Sequence, residues 1–120
     1  KYRKDLMPEH GRYSDMAGKK WLQDTFTPEA LDTVEKLIPL AETKGCSLTQ
    51  FALAWVMNRP AVTSPIMGPR TMQQLEDNLG ALNITFTEDE LAKIDEVMPP
   101  GRMVSPFYRD EGFGAHRYRW

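Results

Sequence analysis

Four stretches of the 120-residue chain repeat apolar residues at helical spacing, and each starts with a recognisable signal. Leu31, Val34, Leu37, Ile38 and Ala41 form the first. Thr27 suits its N-cap, Pro28 its first helical position and Glu29 the positive end of its dipole, and Lys44-Gly45 is a stop. The second begins at the capping box Ser47-Leu48-Thr49-Gln50, places Leu48, Phe51, Ala52 and Trp55 on one face, and ends at Pro60. Thr71-Met72-Gln73-Gln74 is a further capping box and opens a helix with Leu75, Leu79 and Leu82 inward. Thr87-Glu88-Asp89-Glu90 opens the last, with Leu91, Ile94, Val97 and Met98 inward and Pro99-Pro100 as its stop.

The period changes between the second and third helices. Residues 61–68 (AVTSPIMG) are too short and too β-branched for a helix and read as one short strand, which Pro65 would weaken deep inside a sheet. The 82–86 run alternates only weakly and joins two capped helices. Residues 1–26 read as a long loop with one helical turn around 16–24, and 101–120 as an aromatic, basic tail. The prediction is an α/β chain that is mostly helical, with four helices and one strand. A lone strand leaves its backbone donors and acceptors without a ladder, so its partner is expected upstream of Lys1.

Composition narrows the class. Apolar residues make up 41% and charged residues 27% of the chain, a globular mix. Net charge is -2, which argues against nucleic-acid binding driven by bulk charge. The acidic excess lies in residues 21–101, with both ends mildly basic, as for solvated helix faces between loops. Cys46 is the single cysteine, which excludes an internal disulfide and a cysteine-based zinc site. No stretch approaches the ~20 apolar residues of a membrane span. With no apolar leader the chain reads as cytoplasmic, and its start at Lys1 reads as a cut from something longer.

The most informative chemistry follows the strand. Arg70, Gln74 and Asn78 stand four residues apart and run up one side of a helix from its N-terminus. Free N–H groups and the dipole make such an N-terminus an anion site. The Arg70 fork suits a phosphate, the amides of Gln74 and Asn78 suit a purine edge or ribose hydroxyl, and Gly68 permits close approach of a ligand to backbone. The set describes a site for a phosphorylated, base-bearing ligand such as the adenosine end of a nucleotide. The residues alone equally allow a surface Arg70, a capping Gln74 and a solvated Asn78.

The run from Ser64 to Leu79 (SPIMGPRTMQQLEDNL) resembles the cofactor segment of the aldo-keto reductase family, in the branch with G-x-R-T-x-x-Q-L-x-x-N after the eighth barrel strand. Residues 47–60 resemble that family's seventh barrel helix, and 87–97 its additional C-terminal helix. Lys1-Tyr2-Arg3 resembles the end of a run after the seventh strand. The resemblance implies that residues 1–120 are the C-terminal portion of one (β/α)8 barrel: 1–26 a loop, 27–100 the last barrel helices with the eighth strand, and 101–120 a tail. It also implies NADPH-dependent interconversion of aldehydes or ketones and alcohols, with a small carbonyl substrate and no nucleic-acid or membrane partner.

By the same resemblance Arg70 would grip the adenosine 2′-phosphate. Gly68 and Pro69 would line it with backbone, Gln74 would brace phosphate or ribose, and Asp77 with Asn78 would meet the adenine. Many relatives carry Lys-Ser where this chain has Gly68-Pro69. Pro69 has no N–H to offer, so Arg70 carries more of the recognition.

The family's Asp, Tyr, Lys and His tetrad belongs to the first half of the barrel. Tyr2, Tyr13, Tyr108, Tyr118, His10 and His116 stand in none of its contexts, so no catalytic residue is assigned to this chain. The histidines lack ligand-spaced partners and read as solvated, so no metal site is expected. Cys46 reads as a non-reactive thiol and Trp55 as core. Arg12 and Tyr13 are minor candidates for the cofactor pyrophosphate, and the tail for a cover over substrate. Two other classes remain: a non-catalytic relative working as an interaction subunit, as potassium-channel β-subunits do, and a free-standing helical binding module.

Overall fold

A computed structural model describes residues 2–3, 5–15, 18–19 and 23–105. The tail from 106 to 120 and Trp21 and Leu22 lie outside the described residues, as does most of the turn expected around 16–24. The helices run in the order α1 (Arg12–Asp15), α2 (Pro28–Thr43), α3 (Leu48–Met57), α4 (Met72–Leu79), a 3-10 turn (Gly80–Asn83) and α5 (Glu88–Val97). No helix among the described residues is long and apolar enough to cross a membrane.

The four long helices form where the periodicity places them, and their caps show why. The Ala30 N–H donates to Thr27 Oγ1 at 3.1 Å, and α2 ends before Gly45, whose φ of +72° only glycine adopts without strain. Ser47 and Gln50 close a full capping box on α3. Thr87 and Glu90 close another on α5, with the Thr87 N–H donating to Glu90 Oε2 at 2.8 Å and the Glu90 N–H to Thr87 Oγ1 at 3.3 Å. α3 stops at Met57, ahead of Pro60, with Asn58 as its C-cap donating both its N–H and its side-chain amide to the Ala54 carbonyl.

Residues 61–68 are not a strand. They form an irregular segment with no ladder, and among the described residues there is no strand at all. The strand expected at 61–68 is corrected to irregular backbone; the described residues are otherwise helical, as expected of a mostly helical portion of a larger α/β fold. The physical reason is the lone-strand problem: a β conformation is held by bonds to a neighbouring strand, and no described segment offers them. The turn at α1 is additional to the one expected around 16–24, where the Gln23 N–H donates to the Lys19 carbonyl at 3.2 Å.

The described residues divide into two compact units: residues to Lys36 together with those from Met98, and Leu37–Val97. In the first, Tyr2, Tyr13 and Phe26 pack ring against ring at centroid distances of 4.5–6.1 Å, and the Tyr13 N–H donates to Tyr2 Oη at 3.0 Å. Buried Ser105 donates to the Asp24 carbonyl at 2.9 Å, and Arg102 meets Glu29 at 2.7 Å. In the second unit the core centres on Ala41, Phe51 and Ile94, packed round by Leu37, Leu40, Leu48, Trp55, Phe86 and Leu91.

α3 packs against α4 and the 3-10 turn, with Ala54 and Ala81 fully buried on those elements. On α3 it is Ala54 that is buried, while Ala52, expected inward, is exposed. α4 buries no residue: Leu79 is 45% exposed and Leu82, just beyond it, 67%. Both were expected inward, and no layer among the described residues covers them.

Candidate cofactor site

All six residues expected at the site lie in the second unit, on the segment Gly68–Arg70 and helix α4. Thr71 is the N-cap of α4, with φ -135° and ψ 157°, and its hydroxyl accepts the Gln74 N–H at 3.2 Å. The second half of the expected capping box does not close on Thr71. Gln74 Oε1 instead accepts the N–H of Arg70, one residue earlier, at 2.8 Å. That bond fixes the Arg70 backbone against the first turn of the helix.

Arg70 and Gln74 are exposed. Among the described residues the Arg70 guanidinium has no hydrogen-bond or carboxylate partner, and the Gln74 amide nitrogen has none either. Gln74 thus holds Arg70 with its oxygen and keeps two N–H donors for something else. Gly68 is also open. Its φ lies outside the left-handed region, and a Cβ built on it would meet nothing within 4 Å.

Asn78 is half-buried and lines a cavity of about 50 Å³ with Leu53, Met57, Pro65 and Met67. That is room for a water molecule or so, not for a purine ring. Asp77 faces a different set of partners. Its Oδ1 and its backbone carbonyl accept from Gln50 Nε2 at 3.1 and 2.8 Å, and Ser47 Oγ approaches its Oδ2 at 3.4 Å. The structure therefore brings Gly68, Arg70 and Gln74 together at one end of α4. Its far end holds Asn78 beside the cavity and Asp77 against α3. Pro69, between Gly68 and Arg70 in sequence, is half-buried and offers no N–H.

Sequence reasoning did not single out Gln50 as more than a cap. Its position three residues after Ser47 was the available signal, but the helix that would meet its amide nitrogen is not readable from spacing. Tyr13, a minor candidate for pyrophosphate, stacks in the aromatic cluster of the first unit. Cys46 is half-buried and its Sγ lies 3.7 Å from the Ala41 carbonyl. Burial pushes its thiol pKa up, offset in part by Lys44. No cluster of three or more metal-ligating side chains exists among the described residues.

Among the described residues, the start of α4 thus gathers a guanidinium and amide donors without partners beside an open glycine. Residues 2–99 match the family model described as "Aldo/keto reductase family", and the chain belongs to that family. Its members are oxidoreductases that use a nicotinamide cofactor, and membership implies a (β/α)8 barrel. The chain is 37% identical over 79 residues to L-glyceraldehyde 3-phosphate reductase of Escherichia coli O157:H7, and equally to that of strain K12. It is 38% identical over 69 residues to the uncharacterized oxidoreductase YrpG of Bacillus subtilis strain 168. These matches take in 65% and 57% of this chain but 23% and 21% of the relatives, so the chain spans less than a quarter of the length of the curated relatives it matches.

Proposed function

We propose that this chain is the C-terminal portion of an NADPH-dependent aldo-keto reductase acting on a small aldehyde or ketone, and that it holds the adenosine end of the cofactor. Arg70 takes the 2′-phosphate through its planar fork, and the Gln74 amide donates to phosphate or ribose. Gly68 and Pro69 line the phosphate, and Asn78 meets the adenine outside the small cavity. When bound, NADPH supplies the hydride for carbonyl reduction. The residues of this segment bind and orient it.

The observation that carries this reading is the Gln74–Arg70 bond. It fixes the Arg70 backbone beside the helix N-terminus while the guanidinium and the Gln74 amide nitrogen stay unpartnered. Gly68 is compatible with this role: a Cβ there would meet nothing within 4 Å, so its backbone is open to close approach by a ligand. The exposed apolar faces support the barrel portion. Ile66 is fully exposed and Leu82 67% exposed, as expected of apolar groups whose neighbours lie in the rest of a barrel.

The test is Arg70→Ala in the full-length protein, with NADPH and NADH titrated by fluorescence. NADPH binding is expected to weaken by about tenfold or more, the effect of losing a charge-assisted hydrogen-bond pair, with NADH little changed. Equal loss for both cofactors would overturn the phosphate role.

A further inference from the structure

We propose that Gln50, on the neighbouring helix, is a positioning residue that sets the cofactor preference by latching α4 to α3 through Asp77. The proposal rests on the reading that the start of α4 holds the adenosine phosphate.

The Gln50 amide is used at both ends. Oε1 accepts the Ser47 N–H at 3.1 Å and completes the cap of α3. Nε2 grips Asp77 twice, donating to its backbone carbonyl at 2.8 Å and to Oδ1 at 3.1 Å. Ser47 sits in the same cluster, accepting the Gln50 N–H at 3.2 Å and approaching Asp77 Oδ2 at 3.4 Å. One side chain therefore ties the N-terminus of α3 to the last turn of α4. Gly80 makes room for it. Its backbone is ordinary right-handed helix at φ -56°, yet a Cβ there would stand 2.5 Å from Gln50 Nε2. Glycine at 80 leaves the Gln50 amide its place, and any side chain there would have to push that amide aside.

α4 needs such a device. It has eight residues and buries none of them, and a helix that short has little stability of its own in water. Without a buried apolar face, polar contacts carry much of the work of fixing its position. Asp77 is three residues past Gln74 and seven past Arg70, so a shift of the helix at the latch moves both phosphate-facing groups by a similar amount. A guanidinium fork is sensitive to such shifts, because bidentate geometry is lost within a fraction of an ångström to one ångström.

The test uses the full-length protein and four variants: Gln50→Glu, Asp77→Asn with Gln50→Glu, Gly80→Ala and Arg70→Ala. Gln50→Glu keeps an oxygen for the Ser47 N–H, so the cap survives, but it removes the donors and sets a carboxylate against Asp77. The ratio of NADPH to NADH affinity is expected to fall about fivefold, the equivalent of about one net hydrogen bond. The KM for the carbonyl substrate should stay near that of the parent. Adding Asp77→Asn restores the side-chain donor–acceptor pair with reversed polarity, though not the bond to the residue-77 carbonyl, and is expected to recover the ratio in part. Gly80→Ala, which pushes the Gln50 amide from the other side, should lower the ratio even if Gln50→Glu does not fold. If Arg70→Ala lowers the ratio but Gln50→Glu and Gly80→Ala leave it unchanged, the latch plays no positioning part and the proposal fails while the phosphate site stands. If Arg70→Ala also leaves it unchanged, the phosphate reading itself falls and takes the latch proposal with it.

Discussion

The Lys44 ammonium lies 2.7 Å from both carboxylate oxygens of Glu90, joining the residue just past α2 to the first turn of α5. The same carboxylate accepts the Thr87 N–H at 2.8 Å, and the ammonium stands 5.6 Å from the Phe86 ring centre. One glutamate thus caps its own helix and ties it to another, beside the core residues Phe51 and Phe86.

The Lys44 hydrogen bond above all, then the Thr87 N–H, holds the Glu90 carboxyl below the usual glutamate range. A carboxyl with a lowered pKa in the folded state binds its proton more weakly there than in the unfolded chain. Its stabilisation is therefore present above the ordinary glutamate range and is lost as pH falls through the folded value. Thermal unfolding of the full-length protein and of Glu90→Gln is expected to differ modestly at neutral pH and to converge in acid. A gap that widens in acid would contradict the pairing.

Phe51 is 4% exposed and meets Phe86 edge to face at a centroid distance of 5.1 Å. Phe51→Ala removes a ring from the centre of the second unit and leaves a cavity among Ala41, Leu48 and Ile94. The expected loss is about 3–5 kcal/mol, read as a lower urea midpoint with an unchanged slope.

Gly45 and Gly68 are expected to respond in opposite ways to alanine. Gly45 sits at φ +72° at the stop of α2, so Gly45→Ala should cost about 1–2 kcal/mol in stability with no effect on cofactor affinity. Gly68 has ordinary backbone and open space around it, so Gly68→Ala should leave stability within about 0.5 kcal/mol while weakening NADPH binding. Denaturation and cofactor titration of the two variants side by side check both halves.

Burial raises the Cys46 thiol pKa and leaves less thiolate at neutral pH. Alkylation by iodoacetamide in the native protein is expected to be slower than for free cysteine, and to speed up on unfolding. A native rate above that of free cysteine would mark the thiol as activated instead.

Much of the helical framework was legible because its signals are local. Ser47 with Gln50 and Thr87 with Glu90 satisfy orphan N–H groups within one turn, so the pattern of two residues predicts the bond. Gly45 and the prolines act on their own φ or on the residue beside them. Gly68, Arg70 and Gln74 were legible as a set for the same reason: they lie within two turns of one helix start. Reading failed where the answer lay in another segment. Residues 61–68 are short and rich in β-branched residues, but a strand is defined by a partner's hydrogen bonds. Leu79 and Leu82 carry the period of an inward face, but nothing described lies over them.

The chain's amino-acid order alone determined where helices begin and end, that Thr71 caps α4, and that Arg70 stands beside a helix N-terminus with Gln74 one turn on. Those features depend on neighbours within four residues, where backbone geometry leaves few choices. Only the tertiary structure decided that Gln74 turns its oxygen to Arg70, that Lys44 finds Glu90, and that Gln50 spans to Asp77 with Gly80 making way. These pairings join residues 27 to 46 positions apart, except for the Gln74 bond, which turns on a choice between two adjacent N–H groups. Spacing along one helix cannot specify such contacts, because they depend on how separate helices pack and which donor comes within 3 Å.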